Sequence, residues 1–301
     1  MKPYILLYMV AALLLAKPIK AQQYSQLHAL DNHKAQVYYS TGHADRAKTI
    51  ANRVDKAMTY YQQLLGFKPA VTLLILSPDD WTKYTSVPVV YGMPHYANTN
   101  TLVMAAEDNA FWKSFTPPLD QLPQQLSQQI KEVYKDENGN LSMQPFFDLL
   151  ALHELGHAFH FQAGLNMQRK WMGELFVNTL LHTYVAENEP ESLPALTLFP
   201  EMVVGSGAKA YTYTSLQDID QLYDEIGQEH PKNYGWYQCR WHMAARQIYD
   251  TGGRLVSRKL WNALKSEKQK LSDQQLVSVL EKKAHKSYAD MVRNWDRDTK
   301  L

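Results

Sequence analysis

The stretch from Pro145 to Gly164 reads PFFDLLALHELGHAFHFQAG and predicts a long helix. Ser142 can cap the start of this helix, and Pro145 suits a first turn, where a backbone N–H has no helical partner. Gly164 is a typical stop. Strand-like segments precede this helix and helical segments follow it. This order predicts an α+β fold with a cleft between the two parts.

Five residues in the middle of this helix form a metal-binding pattern, His153-Glu154-Leu155-Gly156-His157. Because residues four apart share one face of a helix, both imidazoles can reach a single ion. Glu154 lies beside them and points toward a water on that ion, which is the place of a general base. The alternative is that both histidines are ordinary residues of the helix face. The pattern favours a zinc site.

A catalytic zinc usually has three protein ligands, so this pattern needs one more. One known solution places a glycine three residues and a histidine six residues after the second histidine. His160 and Ala163 occupy those positions after His157, so that solution fails. His160 lies near the ligand face, but a third ligand from the same helix would have poor tetrahedral geometry. The third ligand is therefore expected from the next helix, predicted at residues 168–188.

Three acids in or near that next helix are candidates: Glu174, Glu187 and Glu189. The last two fall near the predicted helix end, where acids are usually solvated. The segment WMGE at 171–174 follows His157 after a short interval and resembles the Trp-Leu-x-Glu of zinc aminopeptidases. The chain thus resembles the gluzincin metallopeptidases (peptidase MA-like), nearest to the aminopeptidase-N-like catalytic domain. The resemblance implies one zinc ion, with Glu174 as its third ligand.

The same resemblance implies roles for residues around the ligands. Asn178 stands one turn beyond Glu174, where related enzymes hold an acid that binds a ligand imidazole, so its carbonyl can accept a hydrogen bond from His153. Tyr237 matches the tyrosine that donates to the tetrahedral oxyanion. Tyr234 and His242 are the alternative donors.

Hydrophobic periodicity predicts the remaining elements. A long helix is expected at 44–65, and strands are expected at 35–40, 71–76 and 101–106. After residue 145 the chain reads as helices, apart from an irregular stretch at 190–210. Ser215 starts one of these helices, with an acid three residues on that completes a capping box.

The resemblance implies a zincin-like arrangement of two lobes. Residues 1–21 read as a signal peptide, residues 22–145 as a mixed N-terminal lobe, and residues 146–301 as a helical catalytic lobe. The active-site cleft is expected between the lobes.

The first residues have the pattern of an export signal. Lys2 precedes an apolar run at 4–16 that is too short to span a bilayer, and Ala21 offers a small-residue cleavage site. We therefore expect a periplasmic or secreted protein without a membrane span in its mature form. Cys239 is the only cysteine, so no intrachain disulfide and no thiolate pair for zinc is available.

These observations predict an exported zinc-dependent peptidase that hydrolyses peptide bonds through a zinc-activated water, with Glu154 as general base. Two alternatives remain open, namely a non-catalytic binding protein of the same fold and a zinc hydrolase of a non-peptide amide or ester. A binding protein has no need of the general base. With 31 basic and 30 acidic residues, the composition gives no reason to expect nucleic-acid binding.

The expected partner is a peptide or protein substrate. Aminopeptidases of this kind use a Gly-x-Met-Glu-Asn segment whose glutamate binds the substrate amino group. The nearest string is GMPHY at 92–96, which has no such glutamate, so N-terminal exopeptidase activity is not supported. The strand predicted at 101–106 is a candidate edge strand for pairing with an extended peptide.

Overall fold

The computed structural model describes residues 24–85, 89–136 and 138–298, so the predicted signal peptide lies outside the described residues. In these ranges the chain is an α+β protein, with a mixed sheet formed by its first part and a largely helical second part. The predicted α+β class is confirmed at this level. No helix in the described ranges combines the length and the apolar character needed to cross a membrane.

The sheet is built from short strands, His28–Leu30 (β1), Gln36–Tyr39 (β2), Thr72–Leu76 (β3), His95–Asn98 (β4) and Thr101–Ala105 (β5). Their order is β1-β2-β3-β5-β4. The neighbours β2, β3 and β5 run parallel, while β1 and β4 are antiparallel edge strands. Every residue of β3 and β5 is buried, so both faces of the sheet centre are covered.

The expectation of an edge strand at 101–106 is wrong in position. The strand exists as β5, but it lies between β3 and β4, and β4 takes the edge. The sequence does not predict β4, because His95–Asn98 is short and half polar and lacks the alternation of a typical strand. Among the described strands, the edge on this side of the sheet is therefore β4 and not β5.

The helices follow in chain order: Ala44–Leu65 (α1), Pro78–Tyr84 (α2), Ala110–Ser114 (α3), Gln124–Val133 (α4), Gln144–Gln162 (α5), Lys170–Asn188 (α6), Leu193–Gly205 (α7), Leu216–Gln221 (α8), Tyr223–Glu229 (α9), Pro231–Gly252 (α10), Val256–Ser266 (α11), Asp273–Val279 (α12) and Lys286–Asp298 (α13). A π-helical turn, Leu280–Ala284, continues α12. The Ser215 capping box is present at the start of α8.

Helix α5 lies at the centre of the molecule. It contacts β4 and β5 of the sheet, α1 on the N-terminal side, and α6 and α7 on the C-terminal side. One continuous hydrophobic cluster contains residues of both predicted lobes. The predicted cap at Ser142 is one residue out, because the N-cap is Met143 and makes no side-chain cap, although Ser142 Oγ still accepts a hydrogen bond from the backbone N–H of Gln144. This central position places the His-Glu-His pattern between the sheet and the helices.

The predicted irregular stretch at 190–210 is wrong, because Leu193–Gly205 forms α7. Proline disfavours a helix interior by removing one backbone hydrogen bond, and this stretch contains several prolines. Pro194 occupies the first turn, where no such bond is lost. Pro200 lies inside the helix and is buried with Leu196. Tertiary packing outweighs the local propensity here.

Candidate metal centre

The structure brings together the three side chains predicted as metal ligands. His153 and His157 come from one face of α5, and their Nε2 atoms lie 3.2 Å apart. Glu174 comes from the first half of α6. Its Oε2 lies 3.2 Å from His153 Nε2, and its Oε1 lies 3.6 Å from His157 Nε2. Two nitrogen donors and one carboxylate thus form a compact triangle.

Glycine permits the close approach of the two helices that carry this triangle. A Cβ on Gly156 would lie 3.1 Å from the side chain of Val177, so a larger residue would push α5 away from α6. On α6, a Cβ on Gly173 would lie 3.6 Å from the His160 ring. Gly156 therefore helps to set the spacing of the two helices, whereas a Cβ on Gly173 would make only an ordinary van der Waals contact.

The outer nitrogens of the two histidines have partners of their own. His153 Nδ1 lies 3.1 Å from Asn178 Oδ1, the contact that the sequence predicts for Asn178. His157 Nδ1 lies 2.8 Å from His160 Nε2. His160 is thus a neighbour of a predicted ligand and does not join the triangle itself. In both rings the Nε2 atom faces the triangle, and the Nδ1 atom contacts a residue outside it.

The carboxylate of Glu174 is held by residues from α9 and α10. The Tyr223 hydroxyl donates to its Oε1 at 2.7 Å, and Gln238 Nε2 donates to its Oε2 at 2.8 Å. The Tyr234 hydroxyl lies 2.9 Å from the Tyr223 hydroxyl and accepts from Gln238 Nε2 at 2.9 Å. Both oxygens of this buried carboxylate are therefore fixed in place.

Glu154 lies beside the triangle. Its Oε1 is 4.0 Å from His153 Nε2, and its side chain is 22% exposed, so it borders open space where Glu174 does not. His153, Glu154 and His157 together form a group that could hold a metal ion, with donor atoms within 4.8 Å of one another. The oxygens of Glu174 are closer to the ring nitrogens than that of Glu154. The geometry therefore favours Glu174 as the third donor and leaves Glu154 for the base.

Burial and neighbouring charge separate the two carboxyl groups. Burial raises the pKa of Glu154 to about 7, with a further rise from the Glu174 charge opposed by His153. Burial also acts to raise the pKa of Glu174, but His157 and His153 hold it well below its usual range. Glu174 is thus a permanent anion, whereas Glu154 exchanges a proton near neutral pH, as a general base requires.

Two further histidines near the centre are neutral. Burial and the neighbouring His157 lower the pKa of His160 to about 3. Burial and the neighbouring His153 lower the pKa of His242 to about 3. The His242 ring centre lies 6.4 Å from that of His153. Its Nδ1 has no hydrogen-bond partner among the described residues.

Tyr237 is not brought to the centre. Its hydroxyl donates to the backbone carbonyl of Ser215 at 2.7 Å, and its ring stacks on Trp241 and Trp295 in the core. Its hydroxyl is therefore occupied by a structural contact. Tyr234, which the sequence offers as the alternative, lies in the network that holds Glu174. The structure thus places the Tyr237 hydroxyl away from the triangle and the Tyr234 hydroxyl beside the two residues that hold Glu174.

The other two candidate acids are held elsewhere. Glu187 accepts a hydrogen bond from the Tyr249 hydroxyl at 2.6 Å. Glu189 pairs with Arg53 of α1 and accepts a hydrogen bond from Tyr184 at 2.7 Å. Neither acid takes part in the contacts of the triangle.

Sequence reasoning misses two residues of the site, Tyr223 and Gln238. Both contact Glu174 across distances of 49 and 64 residues along the chain. Tyr223 follows the short helix α8, and Gln238 is one polar residue in an aromatic stretch. The only signal available is that Tyr234 and Gln238 are four residues apart and so share a face of α10.

Comparisons with protein-family models, with curated proteins and with solved structures found no match.

Proposed function

We propose that this chain is an exported zinc-dependent peptidase with a zincin-like fold. The observation that carries the proposal is the triangle of two imidazole nitrogens and one buried carboxylate, with Glu154 beside it. The fold supports the proposal as well, because the His-Glu-His helix packs against a mixed sheet whose edge strand, β4, is antiparallel. Export is supported by the sequence of residues 1–21.

The donor set fits zinc in type and in spacing. Structural surveys of zinc sites give bonds of about 2.0–2.1 Å to histidine and carboxylate, which puts tetrahedral ligand atoms about 3.3 Å apart. The two ring nitrogens lie 3.2 Å apart, and Glu174 approaches His153 at 3.2 Å with Oε2 and His157 at 3.6 Å with Oε1, distances close to that spacing. With Nδ1 bonded to the Asn178 carbonyl, a neutral His153 directs a lone pair at the Glu174 carboxylate. Such converging lone pairs call for a cation between them.

Zinc at this position would polarise a scissile carbonyl and lower the pKa of a water molecule. Glu154 would take a proton from the attacking water and then pass it to the leaving amine. The peptide bond breaks, and water supplies the hydroxyl of the new acid and the hydrogen of the new amine. A pKa of about 7 suits Glu154 to both proton transfers.

Tyr234 is the tyrosine that we assign to the oxyanion. Burial raises its pKa far above its usual value, and the charges of Glu174 and Glu154 add to this, so it stays a hydroxyl donor. Because the one proton of the Tyr223 hydroxyl goes to Glu174, the Tyr234 hydroxyl donates to Tyr223 in this structure, and it would turn to the oxyanion when substrate binds. Tyr223 is bonded directly to Glu174 and acts as a positioning residue.

The experiment that tests the function is digestion of a peptide library by the zinc-loaded protein lacking residues 1–21, read by mass spectrometry. We expect cleavage that a metal chelator removes and zinc restores. Hydrolysis of simple esters or amides without any peptide cleavage would replace the peptidase by a different zinc hydrolase. Zinc binding with no hydrolysis of any substrate would favour the non-catalytic binding protein.

Glu174→Ala is expected to weaken zinc binding by more than the 10- to 100-fold that is typical of a lost outer-shell contact, because it removes a direct ligand. Glu187→Ala is the matched control, since it removes an acid of the same helix whose carboxylate accepts a hydrogen bond from Tyr249 and lies outside the triangle. Competition with a chromophoric chelator measures both affinities. Loss of zinc from Glu187→Ala alone would overturn the ligand assignment.

Tyr234→Phe is expected to lower kcat by about 100- to 1,000-fold with zinc still bound, because one oxyanion donor is removed. Tyr237→Phe is the control, since the Tyr237 hydroxyl binds the Ser215 carbonyl. That variant should lose stability and keep its turnover. Steady-state kinetics on one cleaved peptide decides between them. An equal loss in Tyr237→Phe would return the oxyanion role to Tyr237.

A further inference from the structure

We propose that Gln238 is a positioning residue that selects the ring tautomer of His153 and aims the Glu174 carboxylate at the same time. The proposal rests on the proposed metal site. Gln238 lies on α10 and hydrogen-bonds to Glu174, Tyr234 and Asn178, not to the His153 ring itself. Its effect travels through the side-chain amide of Asn178.

The orientation of the Gln238 amide follows from its neighbours. Its Nε2 lies 2.8 Å from Glu174 Oε2, and an ionised carboxylate can only accept hydrogen bonds. The same Nε2 donates to the Tyr234 hydroxyl at 2.9 Å. The NH2 group must therefore face Glu174, and the carbonyl oxygen of Gln238 must face away from it, toward Asn178.

This orientation sets the orientation of the next amide. Asn178 Nδ2 lies 3.3 Å from Gln238 Oε1, which can only accept. The Asn178 NH2 group is thus directed at Gln238, and its carbonyl oxygen faces His153 Nδ1 at 3.1 Å. Since that oxygen can only accept, His153 must carry its proton on Nδ1. In the neutral ring this leaves the Nε2 lone pair free to bind a cation.

The chain of contacts begins and ends on two predicted ligands, Glu174 and His153. One glutamine therefore holds the carboxylate by its donor end and the imidazole by its acceptor end. His157 has no such connection, because its Nδ1 faces His160, whose ring nitrogen can either donate or accept. A change at Gln238 should thus alter the tautomer of His153 and leave that of His157 unchanged.

Two substitutions of similar size distinguish the effect of the Gln238 NH2 donor from that of its carbonyl acceptor. Gln238→Met removes both the donor to Glu174 and the acceptor for Asn178. Gln238→Glu keeps an oxygen that accepts from Asn178, and beside the Glu174 anion its carboxyl would be held protonated and donate to Glu174. Gln247→Met is the control, because Gln247 lies on the exposed face of the same helix.

The first measurement is the tautomer of His153 in the metal-free protein, by ¹H–¹⁵N NMR of the imidazole groups at alkaline pH, where imidazoles are neutral. We expect the Nδ1–H form alone in the wild type, in Gln238→Glu and in Gln247→Met. Gln238→Met should show a mixture for His153, with His157 unchanged. A pure Nδ1–H form in a folded Gln238→Met protein would overturn the proposal, as would a mixture in Gln238→Glu.

The second measurement is zinc affinity, by chelator competition on the same proteins. Gln238→Met should bind zinc about 10- to 100-fold more weakly, the usual loss for an outer-shell partner, and Gln247→Met should bind it normally. Equal affinity in Gln238→Met and wild type would contradict a positioning role. Failure of the wild type to bind zinc would reject the proposed function, while the tautomer measurement would still decide the role of Gln238.

Discussion

Replacing Glu154 by glutamine is expected to lower the turnover of peptide hydrolysis by about 100-fold or more while zinc stays bound. Glutamine has nearly the same shape but cannot take a proton from water. Glu154 is not one of the three closest donors, so its loss leaves His153, His157 and Glu174 in place. The measurement is kcat on a cleaved peptide, with zinc content determined on the same sample.

The pH dependence gives the same prediction a second readout. Burial raises the pKa of Glu154 to about 7, and a cation held nearby would lower it again. A general base works only when deprotonated, so kcat/KM should fall as the pH drops through the pKa that Glu154 has in the zinc-loaded protein. This acidic limb should disappear from the residual activity of Glu154→Gln. Unchanged cleavage by Glu154→Gln at full zinc occupancy would rule out the proposed chemistry.

The helices of the site are largely predictable from the sequence because their signals are local. For α1, apolar residues at helical spacing and a stop at Gly66 predict the observed boundaries, Ala44–Leu65. The four-residue spacing of His153 and His157 predicts one shared face, which the structure shows. Glu174 is brought to that face by the packing of α6 against α5, and Gly156 permits their close approach.

The sequence-based predictions of site residues fail where tertiary packing determines which side chain reaches Glu174. Tyr237 and Tyr234 both lie on α10, and only the rotation of that helix determines which of them faces Glu174. The rotation follows from packing against α6 on one side and α13 on the other, where Trp295 stacks on Tyr237. The partners of Glu174, Tyr223 and Gln238, come from distant segments, so no local pattern predicts them.

His157→Ala and His153→Ala are each expected to abolish stoichiometric zinc, from about one ion per chain in the wild type to none after dialysis. Removing one of three ligands takes away a direct metal bond and leaves the buried Glu174 anion facing a gap. Metal analysis by mass spectrometry gives the ratio. His182→Ala is the matched control, because His182 is a buried histidine of α6 that packs against Tyr249.

The effect of zinc on the melting temperature distinguishes specific binding at the triangle from adventitious metal. A ligand that binds only the folded state at 100 times its Kd adds about 2.7 kcal/mol to the free energy of unfolding. The melting temperature of the wild type and of His182→Ala should therefore rise when zinc is added, and that of His157→Ala should not. Stoichiometric zinc in a His153→Ala/His157→Ala double variant, with an unchanged rise in melting temperature, would show that the metal binds elsewhere. In that case the triangle is held by hydrogen bonds alone, and the peptidase proposal loses the observation on which it depends.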